Sequence, residues 1–166
     1  MNFSEAKELF RQLTKEYFGN NHSVIFANQG RTPKPQQPLV LLNPGKTKRP
    51  NYAPVSFNND EFTHFYLTSC EVSVDLFSHG KDVYLDGLHV GTEDNTVEEL
   101  YSFKDFLESD YTIEWCSKND MAIEFHDDVI PLSNVVNDTT YEFRSRLNVT
   151  IYFTHLAVGH RLKASD

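Results

Sequence analysis

Two stretches of this chain alternate apolar and polar residues for long enough to commit the fold to a sheet. Between Phe62 and Phe77, Tyr66, Cys70, Val72, Val74 and Leu76 fall on one side, and Glu71, Ser73 and Asp75 on the other. Between Tyr141 and Phe153, Tyr141, Phe143, Leu147, Val149, Ile151 and Phe153 share one face. Glu142, Arg144, Arg146, Asn148 and Thr150 share the other. Both patterns have a period of two, which places alternate side chains on opposite faces of a strand.

The rest of the chain reads as shorter pieces. Phe3, Ala6, Phe10, Leu13 and Tyr17 recur at helical spacing, with Ser4 as the expected N-cap and Gly19 as the stop. Ser23 to Asn28 reads as a short strand. Gln29 to Gln37, with Gly30, Pro33 and Pro35, reads as an extended loop. Pro38 to Asn43 is nearly all apolar, which predicts a strand buried on both faces, ended by Pro44 and Gly45. Lys46 to Pro54 is expected to be a basic loop. Gly80 to Asn95 reads as a turn-rich excursion.

Thr96-Val97-Glu98-Glu99 has the form of a capping box opening a helix that ends near Ser109, with Val97, Leu100, Phe103 and Leu107 as its stripe. Tyr111 to Trp115 and Met121 to Phe125 alternate around Ser117-Lys118-Asn119-Asp120, which predicts a hairpin. Ile130-Pro131 begins a loop or short edge strand, and 159–166 is expected to be a flexible tail. The expected class is α+β: a mostly antiparallel, mixed sheet with two main helices packed on it, in one domain over 1–166.

Composition supports a folded chain. Hydrophobic residues make up 39% of the 166, with 13% aromatic, which excludes a disordered tail. No apolar run is long enough to span a membrane, and MNFSEAKELF lacks the form of a signal peptide, so a cytoplasmic setting is expected. Cys70 and Cys116 read as two buried thiols, and the N-x-[ST] matches at Asn21, Asn137 and Asn148 as chance.

The net charge of −9 argues against general affinity for nucleic acid. That charge is uneven. No acid lies between Tyr17 and Asn59, where Arg31, Lys34, Lys46, Lys48 and Arg49 stand; from Asp60 to Glu142 only Lys81, Lys104 and Lys118 are positive. Two readings stay open: two solvated faces, or a basic segment of one copy meeting the acidic face of the next.

Candidate chemistry is sparse. Pro44-Gly45-Lys46-Thr47 ends like a phosphate loop, but Val40 stands where the motif needs glycine, and prolines replace the required helix. His126-Asp127-Asp128 is a candidate divalent-metal cluster, weighed against a solvated loop. Ser69 and Ser73 lack a nucleophile-elbow context, and Cys116 lacks a local signature. Trp115 and the tyrosines read as core or subunit interface before they read as a binding platform.

The order of segments resembles the neck or tail terminator proteins of tailed bacteriophages. The landmarks are the N-terminal helix, SVIFANQG linked through prolines to PLVLLN, the Arg49-Pro50 loop, EVSVDLFSHG, NTVEELYSFKDFLES and YEFRSRLNVTIYF. The sharpest are Val74-Asp75-Leu76-Phe77 running into Gly80, and Glu142-x-Arg144 leading a strand.

The resemblance implies an α+β subunit of a six-membered virion ring, without catalysis or cofactor. Such a ring caps the tail tube, with or without a sheath, ends its assembly and joins it to the head-side connector or stopper. DNA passes through the hole unread, and no membrane is involved. Arg31, Lys46, Lys48 and Arg49 are then expected at a subunit or neighbouring-ring interface, with Glu71, Asp75, Arg144 and Arg146 as further candidates. Arg144 is expected to pair with an acid such as Glu71 or Asp75 on an adjacent strand, or to lie on a plain solvated face. The alternatives are a head-closure ring of the same neck, a metal-dependent nuclease using His126, Asp127 and Asp128, or a monomeric aromatic binding module.

Overall fold

A computed structural model describes residues 1–27, 38–50, 54–58, 61–137 and 140–160. In chain order they form α1 (Phe3–Phe18), β1 (Ser23–Phe26), β2 (Leu39–Lys48), β3 (Val55–Asn58), β4 (Glu61–Ser78), β5 (Lys81–Leu85) and β6 (Leu88–Glu93). Then follow α2 (Thr96–Leu107), α3 (Asp110–Lys118), β7 (Met121–Phe125), β8 (Ile130–Pro131), β9 (Asn134–Asn137) and β10 (Thr140–His160). The expected loop over 29–37, with Arg31, and the tail beyond residue 160 lie outside the described residues.

The two long alternating stretches, β4 and β10, are antiparallel neighbours, paired from Phe143 opposite Ser78 to His160 opposite Glu61. At about 3.3 Å per residue this ladder is roughly 55 Å long. The sheet order is β1-β2-β4-β10-β7; β3 extends the β4 side, and β8 and β9 lie along β10. Only β1 and β2 run parallel among these neighbours, so the sheet is mixed and mostly antiparallel, as expected for α+β. No helix among the described residues is long and apolar enough to cross a membrane.

One face of the sheet carries the core. Cys70, Val72, Val74 and Leu76 of β4 and Leu147, Val149, Ile151 and Phe153 of β10 are buried with Ala6, Phe10 and Leu13 of α1 and Leu100, Phe103 and Leu107 of α2. Aromatic rings join the two helices: Tyr17 lies 5.2 Å from Phe103, and Phe18 5.0 Å from Phe103. Tertiary burial of these stripes stabilises helices of this length more than intrinsic propensity does.

Several boundaries differ from those read in the sequence. The N-cap of α1 is Asn2, not Ser4. Asn2 Oδ1 accepts the Glu5 N–H at 2.9 Å, and Glu5 Oε2 accepts the Asn2 N–H at 2.7 Å. Strand β2 runs past Pro44 to Lys48, with its register on β4 shifting between Pro44 and Thr47. Proline is tolerated there because, among the described residues, β1 pairs with Leu39 to Leu42 and no strand lies on the other side of Pro44.

Helix α2 is not opened by a Thr96 capping box. Asp94 Oδ1 accepts the Thr96 N–H at 2.9 Å, and the buried Thr96 hydroxyl meets Ser145 Oγ at 2.7 Å, which ties α2 to β10. The helix stops at Leu107, just before the expected end.

Tyr111 to Trp115 is helical, giving a third helix where a hairpin strand was expected. Ser109 caps it, and Thr112 and Cys116, four apart, face inward. The apolar alternation misleads because Tyr111 and Ile113 point to solvent. Gly80 to Asn95, expected as a turn-rich excursion, holds a single hairpin of β5 and β6 with a register shift between Val83 and Tyr84. The strand of β10 continues through Gly159 and His160, the first two residues of the expected tail.

Candidate assembly surfaces

The sheet face away from the helices holds most of the sequence-marked charges. Arg146 stands directly opposite Asp75 in the β4–β10 register, and Arg144 is the diagonal neighbour, opposite Phe77. Arg146 grips Asp75 with two bonds, Nε to Oδ1 at 2.7 Å and Nη2 to Oδ2 at 3.0 Å; Arg144 Nη2 donates to Oδ2 at 2.6 Å. The Asp75 side chain is 2% exposed, against 30% and 31% for Arg144 and Arg146.

Two charge-assisted donors therefore compensate one desolvated carboxylate. The carboxylate's hydrogen bond raises the pKa of Arg146 above its ordinary value. The Arg144 guanidinium carbon also lies 4.9 Å from the Phe77 ring centroid. Of the two acids expected for Arg144, it is Asp75 that meets it. Glu71 instead lies along a groove of about 300 Å³ with Gly45, Ser73, His126, Asp127 and Asn148.

The basic residues sit elsewhere. Lys46, Lys48 and Arg49 are exposed on the second half of β2 and just beyond it. Lys48 pairs in register with Ser69 and so shares the helix-free face with it. Arg49 turns to the other side and lies 3.6 Å from the Tyr66 ring centroid. The Pro44-Gly45-Lys46-Thr47 stretch is extended strand, not a loop opening a helix.

His126, Asp127 and Asp128 do not converge. His126 Nε2 meets Thr150 Oγ1 at 2.9 Å, while Asp128 lies 3.8 Å from Lys104 Nζ. Among the described residues no three His, Cys, Asp or Glu side chains are placed to hold one metal ion. Cys70 and Cys116 are free and buried, and burial pushes both thiols up in pKa, away from the nucleophilic thiolate. Trp115 packs against the core from α3.

Two apolar surfaces were not marked by the sequence. At the outer end of the ladder, Phe65 and Leu67 of β4 and Leu156 of β10 are exposed. Leu156 stands opposite Phe65, so the three share the helix-free face. The second surface is the β5–β6 hairpin, whose Tyr84, Leu85, Leu88 and Val90 are 58–71% exposed. Its turn residues Asp86 and Gly87 have φ of 49° and 79°, the left-handed pair of a tight two-residue hairpin turn. Asp-Gly between apolar residues is the short-range sign that could have located it.

Compared with known families, residues 6–162 match the family model described as phage neck terminator protein. A search of curated proteins gives no match.

Proposed function

We propose that this chain, which belongs to the family of phage neck terminator proteins, builds a six-membered ring at the junction of phage head and tail. A neck terminator is a structural protein of the virion. In this reading the ring seats on the end of the tail tube, stops its growth and presents its other side to the head-side connector. The genome passes through the lumen without being read, and no catalytic step or cofactor enters.

The family match, which spans nearly the whole chain, carries this reading. The segregation of charge supports it. The exposed cations of β2 and the net negative remainder of the chain suit a heterologous contact, in which a patch on one copy meets a different patch on the next. A net charge of −9 also favours passage of DNA over adhesion to it.

Molar mass by light scattering across protein concentration tests the ring. The expected course runs from 19.2 kDa toward six copies, about 115 kDa. A mass fixed at 19.2 kDa at every concentration, with no retention on purified tail tubes, would overturn the reading.

A further inference from the structure

We propose that the β5–β6 hairpin is an assembly arm that docks on the helix-free face of the outer β4–β10 ladder of the next copy of this chain. The proposal rests on the ring reading above and names the two surfaces that would join its subunits.

The hairpin is firm at its root and unburied at its tip. At the root, the Gly80 N–H donates to Ser78 Oγ at 3.0 Å, and Ser78 Oγ donates to Asn95 Oδ1 at 3.1 Å. Beyond the root, β5 and β6 pair only with each other, outside the main sheet. A two-stranded hairpin alone is marginally stable in water and gains from a surface to pack on.

The tip has no such surface among the described residues. Leu85 and Leu88 stand opposite each other on one face; Tyr84 and His89 do so on the other, their rings 5.5 Å apart. Apolar groups therefore project from both faces of the arm, and acids flank them: Asp82, Asp86 and Glu93, against Lys81 as the single cation of the two strands.

The outer ladder has the complementary chemistry. Phe65, Leu67 and Leu156 form an apolar strip on one face, and Lys48, opposite Ser69, stands at its inner border, with Lys46 beside it on β2. Glu71 and Glu124 stand in one row nearer the body on the same face, and Lys46 lies in the irregular stretch of β2 beside Glu71. An acidic apolar arm thus has, in the same sequence, an apolar acceptor bordered by Lys48.

Distance prevents a chain from using its own acceptor. The arm leaves the sheet at Ser78, and Leu67 lies about 36 Å back along β4 at 3.3 Å per residue. The arm itself, five residues in β5, reaches about 17 Å. An arm that cannot fold back on its own acceptor meets the acceptor of a neighbour. Such head-to-tail contacts repeat into a ring or a filament.

The test uses the full chain in three forms. Leu88→Glu charges the tip at a side chain that is 71% exposed, without setting like charges opposite each other. Leu67→Cys and Leu88→Cys are made in separate chains and mixed under mild oxidation. Expected are wild-type assembly, a tip variant with unchanged thermal unfolding whose half-assembly concentration rises at least about tenfold, and a disulfide-linked dimer only in the mixture. If wild type assembles while the tip variant assembles equally well and no mixed disulfide forms, the arm is refuted and the ring reading stands. If wild type stays at 19.2 kDa, nothing cross-links and purified tail tubes retain none of it, the ring reading and the arm fail together; if tubes retain it and still nothing cross-links, only the arm fails. If the tip variant assembles normally but no longer holds tail tubes, the arm serves the tube, and the second copy is ruled out as its partner.

Discussion

At the inner end of the β4–β10 ladder, Val74, Leu76, Leu147 and Val149 lie buried under α1 and α2, with Asp75 held from the far face by Arg144 and Arg146. At the outer end, Phe65, Leu67 and Leu156 continue the same strands with equally apolar side chains and lie open. The apolar positions change parity between the two ends, so the inner ones face the helices and the outer ones face away from them. Apolar spacing in a strand marks a surface that wants burial. Whether that burial comes from the same chain or from a neighbour depends on which face the helices cover.

The contrast makes mutational effects fall with position along the ladder. The largest loss is expected for Phe103→Ala, which removes a fully buried ring from between α1 and the sheet. A cost of about 3–5 kcal/mol should lower the melting temperature by about 10 °C or more in calorimetry. A change under about 1 kcal/mol would mean that the inner end is not the stabilising core.

Asp75→Asn comes next. It leaves two guanidinium groups facing a neutral amide, at a cost of about 2–3 kcal/mol in denaturant unfolding, since both arginines keep partial access to water. Arg146→Gln should cost less, because Arg144 still meets the carboxylate. Equal costs would mean that Arg146 alone matters.

Gly80→Ala probes the junction between the sheet and the hairpin. Gly80 has φ of 86°, and a Cβ there would lie 2.5 Å from Phe143 Cε2 and 2.7 Å from the Glu93 carbonyl oxygen. The expected loss is about 1–3 kcal/mol. A neutral result would show that the root of the arm yields easily.

Acid titration gives a smaller effect. Burial tends to raise the pKa of Asp94, but hydrogen bonds from Ser133 and from the Thr96 hydroxyl and N–H outweigh it, so the net shift is downward. A lowered folded pKa means stability that is full above the ordinary aspartate range and lost as pH falls through the folded value. Asp94→Asn should flatten that acid limb, and an unchanged limb would remove the role of Asp94 in holding α2.

At the outer end, Leu67→Ala should move stability by no more than about 0.5 kcal/mol while weakening assembly. A large loss of stability there would erase the distinction between the two ends.

Much of the inner end was legible in the sequence. The two long strands and the stripes of α1 and α2 follow from period, because residues buried on one face repeat strictly; the period also offers Arg144 an acid of the adjacent strand, and the register selects Asp75 over Glu71. What was missed depended on tertiary context. Tyr111, Ile113 and Trp115 alternate like a strand, yet the Ser109 cap and the inward Thr112 and Cys116 make a helix. Pro44 reads as a stop, and the lack of a β1 partner beyond Leu42 among the described residues lets the strand continue. The hairpin was counted as glycines and acids, although Asp86-Gly87 between apolar residues carried the turn. Phe65, Leu67 and Leu156 share the face of Glu71 and Asp75 by their parity, which sets them on the side that the helices leave uncovered.

Hydrogen exchange of the wild-type chain, dilute and then concentrated, tests most directly that the inner ladder carries the fold and that the outer ladder and the hairpin carry assembly. The expected result is strong protection over residues 70–78 and 145–153 at both concentrations, with weaker protection over 63–68 and 81–93 that rises with the mass. Protection of the hairpin as strong as that of the inner ladder already in the monomer, or no change there on assembly, would contradict it.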